Sequence, residues 1–221
     1  MKHFDALIFD LDGLLIDSER IYMRAWIDGA AEIGFDLTVD FYRTVVGMPY
    51  QECLDRVAAH FGPDFPVDRF IAASNRIRLE LLTDGMKLKP GAVELLDFLA
   101  ERNIPRAVAS SSRRQYVTGH LNDLGVHGYF DAVVTRTEVS RGKPYPDPYL
   151  KAAEEIRIPP GRCLALEDSR NGIRSATAAG MPVVMVPDLL PPDAELEDIC
   201  IKIATDLHEV RDWLAQEEGA D

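Results

Sequence analysis

Asp10 and Asp12 close the run F-D-A-L-I-F-D-L-D-G at residues 4–13, an apolar stretch that ends abruptly in two carboxylates and a glycine. Such a run reads as a buried strand that delivers its acids to the lip of a sheet, where side chains meet solvent and ligand. With one residue between them, the two side chains share a face of a regular strand, and a turn beginning at Gly13 would re-aim the second. A pair so placed can divide the work of nucleophile and proton carrier, or be an acidic turn after a core strand. Ser110, Ser111 and Ser112 follow the apolar run A-V-A, where hydroxyls and free N–H groups suit a phosphate or form an ordinary helix cap. Lys143 precedes Pro144, which biases it toward extended backbone and limits where its ammonium points; taken alone it reads as a surface lysine. Glu167 and Asp168 end C-L-A-L, a pair suited to a hard divalent cation or to an acidic helix start capped by Ser169.

The elements that must position these residues are legible from period and punctuation. After the first strand, residues 17–34 read as a helix with Ser18 as N-cap and Gly34 as stop, followed by helical spacing at 39–46, 50–61 and 67–83 between G-M-P and G-P-D-F-P breaks. From Pro90 the pattern alternates: helix to 102, strand to Ser110, helix 113–124, strand 132–135, helix 147–156, strand 163–167, helix 171–179, strand 183–186, strand 201–204 and helix 206–216. Alternation of this kind predicts an α/β fold, a doubly wound parallel sheet whose ligands bind beyond the carboxyl ends of the strands. The purely helical block is expected to form a small all-α domain at 16–85, inserted after the first strand of a core made of 1–15 and 86–221.

Composition sets the outer bounds. The 221 residues are 47% hydrophobic, enough for a packed core, and carry a net charge of −13, which argues against a nucleic-acid or anionic-membrane partner. A small phosphorylated substrate is not excluded, because a local Lys, Arg or metal reverses the potential inside one cleft. Cys53, Cys163 and Cys200 are widely spaced with no C-x-x-C, and M-K-H runs into the first strand without the apolar core of a signal peptide. The expected location is the cytoplasm.

Two carboxylates, a hydroxyl cluster, a lysine and two further carboxylates thus fall in order at successive strand ends. In D-L-D-G at 10–13, S-S-S at 110–112, G-K-P-Y-P-D at 142–147 and L-E-D-S at 166–169, the whole chain resembles the haloacid dehalogenase superfamily of phosphotransferases. The helical block resembles the cap of the β-phosphoglucomutase-like and phosphoglycolate-phosphatase-like branch. D-G-L-L-I-D-S-E at 12–19 is especially similar to its small sugar-phosphate phosphatases.

The resemblance implies a Rossmann-like core and Mg2+-dependent hydrolysis of a small phosphorylated metabolite through an aspartyl-phosphate on Asp10. It implies Asp12 as proton carrier, Lys143 paired with Asp10 and the phosphate, and Ser110, Ser111 and Arg113 on the phosphoryl group. Metal binding falls to Asp10, the Asp12 backbone carbonyl and Asp168, with Glu167 either a direct ligand or one step behind. Arg20, Tyr22, Gly47, Tyr50, Arg76 and Arg78 are the cap candidates for specificity, each charged one otherwise a solvated helix face. The protein is expected to act as a monomer or weak homodimer. The nearest alternative is a β-phosphoglucomutase, but Tyr22 and Tyr50 stand where that cap usually offers histidine and arginine. A true dehalogenase lacks an aspartate at the position of Asp12, and a non-catalytic binding protein has no need of all four motifs.

Overall fold

The computed structural model describes residues 4–46, 48 and 50–219. They divide into two compact units, one of residues 1–16 with 87–221 and one of 17–86. Among the described residues, no helix is long and apolar enough to cross a membrane.

The first unit is built on six parallel strands: β1 (Ala6–Phe9), β2 (Arg106–Ala109), β3 (Ala132–Val134), β4 (Cys163–Glu167), β5 (Val183–Met185) and β6 (Lys202–Ile203), in the order β3-β2-β1-β4-β5-β6. Every residue of β1 and β4 is buried, as strands covered on both faces require. Along β1 the faces divide by alternation. Ala6 and Ile8 join a cluster with Ala107, Ala109, Ala165 and Ile173, while Phe9 packs edge-on against Phe130 at 5.9 Å. The small side chains of β2 and β4 leave room for α7 (Asp147–Glu155), which lays Tyr149, Ala152 and Ala153 into the same cluster. Helices α5 (Ala92–Glu101) and α10 (Leu207–Gly219) pack on each other, and α8 (Arg170–Ala178) on β4 and β5. The order reverses beside β1, whose neighbours are β2 and β4, so their carboxyl ends form the crevice of a doubly wound sheet.

The second unit is all helical: α1 (Ser18–Glu32), α2 (Val39–Arg43), α3 (Tyr50–Phe61) and α4 (Val67–Leu81). Helix α1 packs mainly on α4. Their close approach depends on Gly29, where a Cβ would fall 2.4 Å from Ser74 Oγ. Trp26 forms the aromatic centre, edge-on to Phe70 at 5.2 Å and to Tyr42 at 5.7 Å.

Several expected boundaries move. Ser18 is not the N-cap of α1 but its first helical residue, fully buried, and Asp17 takes the cap position. Helix α2 ends at Arg43 rather than at 46, and α4 at Leu81, followed by a single 3-10 turn at Leu82–Asp84. A short helix, α9 (Ala194–Ile199), follows Pro191 and Pro192 where no element was expected; Asp193 starts it by accepting the Leu196 N–H.

Candidate active site

The site is set by register. Phe9 lies level with Val108 on one side and Leu166 on the other, so the residues that follow, Asp10, Ala109 and Glu167, arrive together at the carboxyl edge. The Asp10 N–H donates to Leu166 C=O at 3.0 Å, holding the chain in register one residue past the strand. Strand β1 stops at Phe9 and Gly13 turns with φ +89°, which separates the paired aspartates. Asp10 is buried and accepts from Lys143 Nζ, whereas Asp12 Oδ2 accepts from Ser112 Oγ at 2.7 Å.

Lys143 bridges two carboxylates, donating to Asp10 Oδ1 and to Glu167 Oε1. Glu167 is fully buried and heavily occupied. Its Oε1 also accepts from the Tyr149 hydroxyl at 2.7 Å, while its Oε2 accepts from the Asp168 N–H, the Ser169 N–H and Ser169 Oγ at 3.2, 3.2 and 3.0 Å. Ser169 is the helix cap read from the sequence, its Oγ also accepting the Gly172 N–H at 3.1 Å at the start of α8.

Burial pushes the Asp10 carboxyl up, to about 8, while the Lys143 ammonium pulls it down and the charges of Glu167 and Asp12 add to the rise. Burial also works against the Lys143 charge, but Asp10 and Glu167 more than offset it and raise that group above the ordinary lysine range. The ammonium therefore stays charged, and a further cation beside Asp10 would bring its carboxyl back down. Carboxylate oxygens of Asp10, Glu167 and Asp168 lie within 4.8 Å of one another. A Cβ on Gly13 would fall 2.3 Å from Asp168 Oδ2, so bare backbone makes the wall on that side. Buried carboxyl oxygens gathered this closely fit a hard divalent cation. Both Glu167 oxygens already accept protein donors, and through Oε1 this carboxylate anchors the lysine.

Of the other predicted residues, Ser110 is buried with its Oγ accepting the Ser112 N–H at 3.0 Å, and Ser111 is exposed. The triplet is a loop and does not cap a helix: α6 (Arg114–Asp123) starts later, with Arg113 at its N-cap. Arg113 is exposed and lines a hollow of about 770 Å3 with Arg114, Gln115 and Thr118, bonded to none of the carboxylates above among the described contacts. In the helical unit, Arg78 lies 5.9 Å from the Tyr22 ring centre and Tyr50 is 57% exposed beside Trp26. Arg20 pairs with Asp17, and Arg76 with Glu32 and Glu80, as solvated helix faces do. Gly47 lies outside the described residues.

Sequence reasoning did not single out Ser112 or Tyr149. Ser112 was hidden within its triplet. Tyr149, at apolar helical spacing in α7, carried no signal that told it from a core residue.

A haloacid dehalogenase-like hydrolase profile matches residues 4–180. The chain belongs to that family of hydrolases. Among its relatives, the phosphorylated carbohydrates phosphatase of Thermotoga maritima is 30% identical over 177 residues, covering 80% of this chain and 82% of that one. A probable pseudouridine-5'-phosphatase of Saccharomyces cerevisiae is 34% identical over 82% of each chain. The crystal structure of a HAD family hydrolase from Deinococcus radiodurans, with bound phosphate and sodium, superposes with a TM-score of 0.81 at 31% identity over 96% of both chains. This HAD-like protein is thus an enzyme of the phosphatase type.

Proposed function

We propose that this hydrolase is a Mg2+-dependent phosphatase acting on small phosphorylated metabolites, sugar phosphates foremost, through an aspartyl-phosphate on Asp10. The observation that carries the reading is the Lys143 ammonium held on Asp10 at the carboxyl edge of the sheet. A phosphate ester dianion repels a carboxylate nucleophile, and a buried ammonium beside both relieves that repulsion where bulk water does not screen it. Asp10 attacks phosphorus in line; its new O–P bond forms as the ester P–O bond breaks, and Asp12 gives the leaving alkoxide its proton. Asp12 then takes a proton from the water that attacks the phosphoryl group. The Asp10 O–P bond breaks and inorganic phosphate leaves. Ser112 Oγ, 2.7 Å from Asp12 Oδ2, aims the proton carrier. Ser110 and the Ser111 N–H bind phosphoryl oxygens, and Arg113 adds positive charge nearby.

Asp10, Asp168 and the Asp12 backbone carbonyl would hold Mg2+, which when bound supplies positive charge to the phosphoryl oxygens and to Asp10. The phosphorylated carbohydrate and pseudouridine-5'-phosphate of the two relatives' names support a sugar-bearing phosphate ester as substrate. Substrate choice is assigned to the helical unit, with Tyr22, Tyr50 and Arg78 as candidates. Three free cysteines and no disulfide among the described residues agree with a reducing compartment, the cytoplasm.

The test separates the two aspartates. Asp10→Asn keeps the shape but removes the anionic nucleophile, so turnover falls to background and no phosphoenzyme forms. Asp12→Asn removes the proton carrier, costing about 10²–10⁴-fold with ordinary esters, yet it still forms aspartyl-phosphate from an aryl phosphate or acetyl phosphate. Single-turnover labelling with such a donor, then peptide mapping, puts the label on Asp10 in Asp12→Asn and none in Asp10→Asn. Normal labelling of Asp10→Asn would remove the mechanism.

A further inference from the structure

Tyr149 is fully buried in α7, within an apolar cluster where phenylalanine would fill the space and leave no hydroxyl to desolvate. Its hydroxyl donates to Glu167 Oε1 at 2.7 Å, the same oxygen that accepts Lys143 Nζ. The Lys143 Nζ stands 5.1 Å from the Tyr149 ring centre. Burial, followed by the charge of Glu167, raises the phenol well above its ordinary range, so Tyr149 is a donor and stays neutral. With Oε2 occupied by the backbone N–H groups of Asp168 and Ser169 and by Ser169 Oγ, the direction of Oε1 is set by these two donors.

We infer that Tyr149 is a positioning residue for the reaction: by sharing Glu167 Oε1 it holds that carboxylate and keeps the Lys143 ammonium turned onto Asp10. The inference rests on the reading of Asp10 as nucleophile. A lysine ammonium is a compact charge with freely turning donors on a flexible stem, so its acceptors decide where it points. Loss of the phenol leaves Oε1 to Lys143 alone. The ammonium then draws toward Glu167 and away from Asp10, and the attacking carboxylate and incoming phosphate lose part of their neutralising charge. The ring is a separate contribution, a wall behind the ammonium.

Tyr149→Phe keeps the ring and the packing and removes only the donor. With an aryl phosphate and saturating Mg2+, kcat and the single-turnover rate of Asp10 labelling are each expected to fall about 10-fold or more, as loss of a partner behind a directly acting group does. KM is expected to stay within about twofold, because an interaction that matters only as the reaction proceeds does not enter ground-state binding. A merely structural role predicts no such split. In a Glu167→Gln background, Tyr149→Phe is expected to cost no more than about twofold further, since residues acting through one another are not additive. An unchanged kcat, a rise in KM alone, the same loss in both backgrounds, or failure of Tyr149→Phe to melt cooperatively would each overturn the inference. Wild type and Asp10→Asn are run beside it. The labelling is read in the Asp12→Asn background, where the phosphoenzyme is not discharged: if Asp10 carries no label there, the nucleophile reading fails; if it does and adding Tyr149→Phe leaves the labelling equally fast, only the role of Tyr149 falls.

Discussion

A Cβ at Gly172 would fall 1.7 Å from Glu167 Oε1 and 2.1 Å from Oε2, so the first turn of α8 presses bare backbone onto the buried carboxylate. Close approach, and not a left-handed turn, requires glycine here. Gly172→Ala is expected to displace Glu167, and with it Lys143. Stability should fall by about 1–3 kcal/mol, as overpacking does, and turnover by much more than the stability loss explains. Gly119 provides the control. It lies in helix α6 with nothing within 4 Å of the point a methyl group would occupy, so Gly119→Ala should leave turnover unchanged and add about 0.5–1 kcal/mol through helix propensity. Urea unfolding and initial rates of both variants check the pair. An active, undamaged Gly172→Ala enzyme would show that Glu167 need not stay where it is. The R-N-G after L-E-D-S was visible as a helix start, but the spacing of residues along the chain does not reveal which atom a missing side chain makes room for.

Among the elements, the loop after β3 is closed by a capping box. Thr135 and Glu138 bond reciprocally, and Arg114 of α6 donates to Glu138 Oε1 at 2.8 Å. Burial alone would raise the Glu138 carboxyl, but the hydrogen bonds from Arg114, Thr135 and Thr137 take it down to about 2. Because the folded value lies below the ordinary one, its stabilisation is complete above about pH 4.5 and is lost as pH falls toward 2. Glu209, held down to about 2 by Lys202 and Thr205, acts in the same direction. Thermal melts of wild type and Glu138→Gln are expected to differ by about 1–2 kcal/mol at pH 7, after allowance for solvent screening, by clearly less at pH 3, and to converge only as pH approaches 2. A gap as large at pH 3 as at pH 7 would locate the effect of the substitution in packing. The elements themselves were largely legible, because strands buried on both faces read as short apolar runs and helices as 3.6-residue periods. Helix α9 was not, since its six residues are too few to establish a period and its cap, Asp193, follows two prolines that read as loop.

For the molecule as a whole, folding gathers like charge: Asp10, Glu167 and Asp168, from distant parts of a chain whose net charge is −13, lie within 4.8 Å. A divalent ion held by the folded state alone should therefore both support turnover and raise the melting temperature. Chelation is expected to abolish activity and Mg2+ to restore it, while Ca2+, which prefers more and longer oxygen contacts, should inhibit. In the absence of substrate, Mg2+ at about a hundredfold excess over its Kd should add about 2.7 kcal/mol to wild-type stability and markedly less to Asp168→Asn. Full turnover in excess chelator would reject the metal assignment, and an equal gain in both proteins would place the ion elsewhere.

The four motifs and the strand-helix alternation are local properties, carried by residue type and by spacing along a few turns or strands, and they were readable without coordinates. The same holds for the family, since its motifs occur in chain order. Which acid takes which partner is not local. Asp10 and Asp12 are two residues apart, yet one faces Lys143 and the other Ser112, because β1 ends at Phe9 and the chain turns at Gly13. Tyr149 and Glu167 are 18 residues apart and meet only because α7 packs across the sheet face over β3, β2 and β1, which brings Tyr149 within reach of the end of the neighbouring β4. A hydrogen bond depends on distances of a few tenths of an ångström, and those are set by packing and parallel register, which no spacing along the sequence encodes.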